Sequence, residues 1–283
     1  MRGSSSVLVL VALVGCGRIA FEPAGDSGVT APDAPRFGPF TTRRILSSLD
    51  STAREFAVSV SADQREIYFV SNRNGSFVNY RATRASTAVD FDPPALSQYG
   101  TFVTANEPAL ARGGLELYLS DFVTHRPDPS APWAMPVPDP ALANFGGEDF
   151  GAHDLHMVMH GANQNTLHEA TRASLGSPWT VPQPIVELAG VRAFQNYPTM
   201  TDDGLEIFFQ AYDVPNGPGV VLHAARVALD QPFGPVTEAL SLPSGVSYGD
   251  PGISGDGTAL YYGSDEGNPG GPSDLWVAER VRM

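Results

Sequence analysis

Short apolar runs recur along the chain, each bounded by Asp, Gly, Asn or Pro. Runs this short, with turn residues on both sides, predict β-strands and not helices. They come in pairs with a shared outline. Residues 55–63 (EFAVSVSAD) precede 66–71 (EIYFVS), 107–112 (EPALAR) precede 115–120 (LELYLS), 197–204 (YPTMTDDG) precede 205–210 (LEIFFQ), and 250–257 (DPGISGDG) precede 259–263 (ALYYG). A weaker copy joins 148–154 (EDFGAHD) to 155–160 (LHMVMH). Each pair reads as a hairpin around an Asp/Gly turn. A third run closes on Arg84, Arg172, Arg226 or Arg280. A fourth, edge-like run opens with an aromatic and a nearby proline: Phe91 with Pro93, Trp133 with Pro136, Trp179 with Pro182, Phe233 with Pro235. Proline suits an edge because it has no N–H to donate to a neighbouring strand. From Asp63 to Asp256 the repeat advances 193 residues in four steps, a mean period of about 48.

Four antiparallel strands in a period of that length are the pattern of a β-propeller blade. The two ends of the chain complement each other. The last copy stops after Arg280 without its aromatic–proline run, and residues 37–40 (FGPF) supply such a run at the front. An N-terminal strand that completes the C-terminal blade closes a ring and removes open sheet edges. Residues 37–283 hold about five periods. The expected fold is all-β, a five-bladed β-propeller over 37–283, and the expected state is a monomer. The competing architectures are a six-bladed propeller and a β-sandwich. A sandwich gives no reason for a constant repeat grammar or for complementary ends.

The core of the repeat is an acid and a proline, then Ser-x-Asp-Gly, then an apolar strand. It resembles the repeat of TolB-type and related WD-like bacterial propellers. Residues 197–204 and 250–257 match best, and the third copy departs most, with neither the proline nor Ser-x-Asp-Gly. The resemblance implies the fold over nearly the whole domain. It implies no activity, because propellers carry enzymes, scaffolds and binders alike.

Ahead of the repeats, residues 1–15 carry one positive charge, Arg2, and an eight-residue apolar stretch from Val7 to Val14. A bilayer span needs about 20 residues, so this stretch reads as a secretory signal peptide. Its end, Leu13-Val14-Gly15-Cys16, resembles the bacterial lipobox, which implies cleavage before Cys16 and lipid attachment to its thiol. An ordinary signal peptide ending in Cys is the other reading. Cys16 is the one cysteine of the chain, so an intramolecular disulfide is impossible. Residues 17–36, rich in Gly, Ala, Pro and Asp, read as a flexible tether. Gly17, in place of Asp, implies the outer membrane in a cell that has two. The expected location is the cell envelope, on a lipid anchor, facing periplasm or exterior.

Charge then narrows the function. The formal net charge is −14 and all 17 basic residues are Arg. So acidic a chain has no general attraction for nucleic acid, and without Lys it has neither a P-loop nor a Schiff base. No cofactor is implied, and there is no Gly-x-Ser-x-Gly nucleophile elbow. His153, His156, His160 and His168 fall together in the third copy. On a strand, however, His156 and His160 would stand about 13 Å apart, too far to share a metal. His156 takes the position held elsewhere by Glu66, Glu116 and Glu206, expected to be exposed. Residues 264–274 offer oxygen donors without EF-hand spacing and read as a solvated hairpin tip. No metal site is expected.

One acid or amide per copy stands near the start of the innermost strand: Glu55, Glu107, Asp149, Asn196 and Asp250. Innermost strands line a propeller's channel, so these five are expected to ring one mouth and focus a negative potential there. They read as strand-start chemistry of the repeat, as a site for a cation or sugar, or as glycosidase carboxylates. Some five-bladed propellers are arabinanase-like or invertase-like hydrolases, and that chemistry needs two carboxyls about 5–10 Å apart. The recurring Arg and aromatic residues read as inter-blade parts. The expected function is non-enzymatic: an envelope lipoprotein whose propeller binds an envelope protein or a polysaccharide at the channel mouth or on the loops. A glycoside hydrolase or lyase is the alternative.

Overall fold

The computed structural model describes residues 37–102, 107–215 and 217–283. The expected signal peptide, Cys16 and the tether fall within 1–36, outside the described residues. Among the described residues no helix is long and apolar enough to cross a membrane.

The described strands form a five-bladed β-propeller. β1 (Thr42–Ile45) precedes blade 1, which runs outward from the axis as β2 (Glu55–Val60), β3 (Glu66–Ser71), β4 (Val78–Thr83) and β5 (Ala95–Leu96). Blade 2 is β6 (Pro108–Leu110), β7 (Glu116–Leu119), β8 (Phe122–His125) and β9 (Val137–Pro138). Blade 3 is β10 (Phe145–Gly151), β11 (His156–Gly161), β12 (Leu167–Thr171) and β13 (Gln183–Pro184). Blade 4 is β14 (Phe194–Met200), β15 (Glu206–Tyr212), β16 (Val220–Ala225) and β17 (Thr237–Glu238). Blade 5 is β18 (Tyr248–Ile253), β19 (Ala259–Ser264) and β20 (Asp274–Glu279), with β1 in its outer position. The six-bladed and sandwich alternatives fall away.

β1 pairs antiparallel with β20, from Thr42 opposite Glu279 to Ile45 opposite Trp276, so the chain ends do close the ring. The closing strand starts later than residues 37–40. Those residues lead into it: Phe37 bridges Arg282, and the Gly38 N–H donates to Val281 O at 3.0 Å. The other aromatics expected to open fourth strands likewise precede them, in the loop after the third strand. The outer strands that follow are only two residues long, and Pro138 and Pro184 sit in them.

The Ser/Thr-x-Asp turn has a clear mechanism. The hydroxyls of Ser61, Thr201 and Ser254 donate to Asp63, Asp203 and Asp256 at 2.6–2.7 Å. The same oxygens accept the N–H of Glu66, Glu206 and Ala259, the residues that start the next strand or its pairing. The residue after the Asp is left-handed, with φ of 70° at Gly204 and 74° at Gly257, which is why Gly recurs there. Blade 3 solves the turn differently. Ala152, His153 and Asp154 all have positive φ, and the Asp154 carboxylate accepts the N–H groups of Arg112 and Gly113 in blade 2 at 2.7 and 2.8 Å. The irregular copy is thus tied to its neighbour.

Blades are clamped by one arginine each. Arg84, Arg126, Arg172, Arg226 and Arg280 are all buried. Each Nε donates to a carbonyl of its own blade's first hairpin, Gln64, Gly114, Asp154, Gly204 or Gly257, at 2.6–2.9 Å. Each guanidinium lies 4.0–4.4 Å from the centre of an aromatic ring: Phe91, Trp133, Trp179, Phe233 or Phe37. Its far side crosses to the preceding blade. Arg126 meets Glu66, Arg172 meets Glu116, and Arg280 meets Glu206. Arg226 meets Nδ1 of His156, whose Nε2 is 2.8 Å from Glu169, and Arg84 meets the Tyr261 hydroxyl at 2.9 Å. The position of Glu66, Glu116 and His156 is therefore buried and not exposed, because it receives the clamp. Burial pushes the Glu66 carboxyl up, but Arg126 and Arg81 hold it below the ordinary carboxylate range.

Removing one clamp strands a buried carboxylate. Arg172→Met leaves Glu116 without its guanidinium partner and should cost about 3–5 kcal/mol. Denaturant unfolding measures this, and a loss no greater than that of an exposed Arg→Met change would refute the clamp's weight.

Candidate functional site

Four of the five inner strands break their pairing register at the same place, and β6 of blade 2 pairs without a break. The breaks fall between Phe56 and Ser59, Gly146 and Asp149, Asn196 and Thr199, and Gly249 and Gly252. At these bulges Ala57, Gly147, Tyr197 and Asp250 have φ of 48–58°. Bulges of this kind re-aim side chains. Two residues beyond, Ser59, Asp149 and Thr199 each accept an N–H from the next blade's inner strand: Leu110 at 2.9 Å, Met200 at 2.9 Å and Ile253 at 3.0 Å.

The bulges decide where the five expected ring residues go. Glu107, Asp149 and Asp250 line the central cavity. Asp149 is committed to holding blades together, since it also accepts from Thr199 Oγ1 at 2.6 Å and from Arg112 at 2.7 Å. Glu55 and Asn196 are not brought to the cavity. Glu55 accepts from Ser51, Ser71 and Arg73 at 2.5–3.1 Å, and Asn196 donates to Gln164 and Tyr212 at 3.4 Å. The residues expected to be equivalent lie on different sides of an inserted residue, so their side chains diverge.

The cavity is blind. Arg112 is buried and donates to the carbonyls of Val60, Phe150 and Met200, from three different blades, which closes the axis on the side of the first hairpins. About 20 Å³ remains for the centre of a water molecule, enough for one or two waters. Glu148 lines it with both carboxyl oxygens buried and unpartnered. Burial pushes Glu148 up to about 8 and Asp250 up to about 7. His160 Nε2 stands 3.3 Å from Glu107, and Tyr197 packs edge-on against the His160 ring with centroids 5.6 Å apart. Burial lowers His160, but the Glu107 hydrogen bond and charge outweigh it and raise the imidazole above its ordinary value. Gly147 is required here: a Cβ would approach His160 Cδ2 to 2.9 Å. His153 and His168 stand apart, the first beside Asp202 at 3.3 Å and the second against Thr166 O at 3.2 Å.

Sequence reading misses Glu148 and Tyr197, which line the cavity, Arg112, which bonds three blades at its closed end, and His160, which meets Glu107. The available signal was the Glu148-Asp149 pair in the irregular copy, with one acid facing the cavity and one facing the seam.

Around the open mouth lies the face that carries the inter-blade connectors and the loops between second and third strands. Aromatic pairs stand on it: Phe56 with Phe77, Phe102 with Phe122, Phe145 with His168, and Phe194 stacked on Tyr212, with centroids 5.0–5.4 Å apart. Most of these rings are half-exposed, and Phe102 is 41% exposed.

No family model matches the sequence, and no curated protein does. Solved propellers do. The chain is similar to the catalytic domain of an α-L-arabinofuranosidase from Coprinopsis cinerea, at 11% identity and TM-score 0.50, over 87% of this chain and 97% of that one. It is similar to an α-L-arabinofuranosidase from Podospora anserina in complex with cellotriose, at 8% identity and TM-score 0.51, over 88% and 97%. TolB from Acinetobacter baumannii also matches, at 12% identity and TM-score 0.46, over 87% of this chain. The chain spans 65% of that TolB's length. The two arabinofuranosidase likenesses, at 11% and 8% identity, bear on the fold alone.

The cavity acids carry a pH signature. Folded Glu148 releases its proton near pH 8 and the unfolded residue near 4.5, so the folded state holds the extra proton between them. Its stabilising proton is in place below about pH 4.5 and is lost as pH rises to about 8, and Asp250 acts in the same direction. Stability should therefore fall by on the order of a few kcal/mol between pH 5 and pH 8. Glu148→Gln should flatten that slope in denaturant unfolding, and an unchanged slope would contradict the cavity's assigned protonation.

Proposed function

We propose that this propeller is a non-catalytic binding protein that holds a neutral polysaccharide against its connector face. It is carried at the cell envelope by lipid on Cys16. The observation that supports the reading is the set of half-exposed ring pairs, contributed by four blades to one face around an acidic cavity. Aromatic rings offer broad apolar faces at low entropy cost, and rings fixed on a closed propeller need little ordering on binding. The net charge of −14 repels polyanions, so the favoured glycan is uncharged.

Glycoside hydrolysis is the second reading, favoured by two cavity carboxyls, Glu148 and Asp250, that keep their protons to near neutrality. Space argues against it. Pockets that enclose small ligands run to about 300–1,000 Å³, against about 20 Å³ here. Asp149 is also committed to Arg112 and the blade 4 backbone.

Affinity electrophoresis of the purified protein in gels containing arabinan, xylan, galactan or β-glucan tests the proposal. Retardation in at least one is expected, weakened about tenfold in Phe102→Ala or Phe194→Ala, with no release of reducing ends. Binding to none of these glycans, or only to an envelope protein, would overturn the polysaccharide assignment. Release of reducing ends that disappears in Glu148→Gln and Asp250→Asn would establish the hydrolase instead. In cells, Cys16→Ser should move the protein from the membrane fraction to the soluble fraction, and unchanged fractionation would refute the anchor.

A further inference from the structure

Asp50, Glu55 and Asp274 meet on the connector face, at the seam where blade 5 joins blade 1. One carboxylate oxygen from each lies within 4.8 Å of the other two. Oxygens around a calcium ion sit about 2.3–2.6 Å from it, so two on opposite sides are about 5 Å apart. Three oxygens no farther apart than this have a common point at most about 2.8 Å from each, a few tenths of an ångström beyond that bond length. The donors come from three segments: the connector after β1, the first residue of β2 and the first residue of β20.

Glu55 supplies a second, independent observation. Its side chain is fully buried. Oε1 accepts from Ser51, Ser71 and Arg73, while Oε2 is buried and accepts nothing. Among the described residues, Arg73 is the one cation hydrogen-bonded to Glu55, against three carboxyls.

The geometry points to a divalent-cation site, calcium by preference, built from Asp50, Glu55 and Asp274 and tying the closing seam of the ring. All three donors are hard carboxylate oxygens, with no nitrogen or sulfur to favour zinc or copper. Asp50 is exposed, so water can complete the shell. Calcium accepts such an irregular, partly aqueous shell, whereas magnesium demands a near-ideal octahedron.

Calorimetric titration and thermal unfolding of the full-length, chelator-treated protein with CaCl₂ or MgCl₂ test the site. One calcium per chain is expected, with a saturable rise in Tm and magnesium at least tenfold weaker. Asp274→Asn should weaken calcium binding at least tenfold and raise the Tm of the calcium-free protein, because it removes repulsion. That second effect shows that the variant is folded. Glu148→Gln, in the central cavity, should titrate as wild type. The site is refuted by any of three results: no saturable calcium binding, Asp50→Asn and Asp274→Asn both titrating as wild type, or loss of binding in Glu148→Gln instead.

Discussion

A ring of blades is only as firm as its seams, and here each seam is held by a buried guanidinium with three fixed partners. The turn carbonyl fixes Nε, the aromatic ring covers the flat face, and a group from the preceding blade takes the far nitrogens. Only Arg satisfies all three, because its donors are planar and divergent while Lys offers a single point charge. A buried charge costs less when paired and hydrogen-bonded, and each clamp answers that cost locally. Where the preceding blade offers Tyr68 or Tyr118, the covering ring is Trp133 or Trp179, whose Nε1 donates to that hydroxyl at 3.0 Å. Clamp, ring and acid therefore vary together from seam to seam.

The same closure explains what the centre can and cannot do. Inner-strand staples at Ser59, Asp149 and Thr199 draw the blades together at the axis, and Arg112 fills one end. What survives is a small acid-lined cavity open to one face. Rigid seams fix the loops of that face, which is the property a binding surface needs. The aromatic pairs, not the channel, are the accessible part of the site.

Much of this was legible in the sequence, and the reasons for success and failure are physical. The blade count and the ring closure follow from periodic turn chemistry, in which Ser or Thr, Asp and a left-handed Gly are local requirements written into residues 201–204 and 254–257. The clamp arginines were legible as a period but not in their partners, since Arg172 meets Glu116 across 56 residues. Arg126 escaped even the period, because its strand is only four residues long. The ring of acids was legible as composition and misjudged as geometry. A bulge changes which side chain faces the axis, and no spacing rule on a regular strand anticipates it. Asp50, Glu55 and Asp274 are invisible as a cluster for a simpler reason: they meet only after the ring is closed.

That last point bears on why a cation belongs at this seam. Of the five clamps among the described residues, the one between blades 5 and 1 is the weakest in charge. Ala259 occupies the position of Glu66, so Arg84 reaches only the Tyr261 hydroxyl. The inner-strand staple is missing there as well. Gly252 stands where Thr199 and Asp149 stand, and the Val58 carbonyl comes so close that a Cβ would approach its oxygen to 2.5 Å. This seam also joins the first and last of the described strands, β1 and β20. Three carboxyls gathered on the other face of that seam would repel one another, and alone they would weaken it further. A bound cation reverses the sign, turning the repulsion into a cross-link between the connector after β1, β2 and β20.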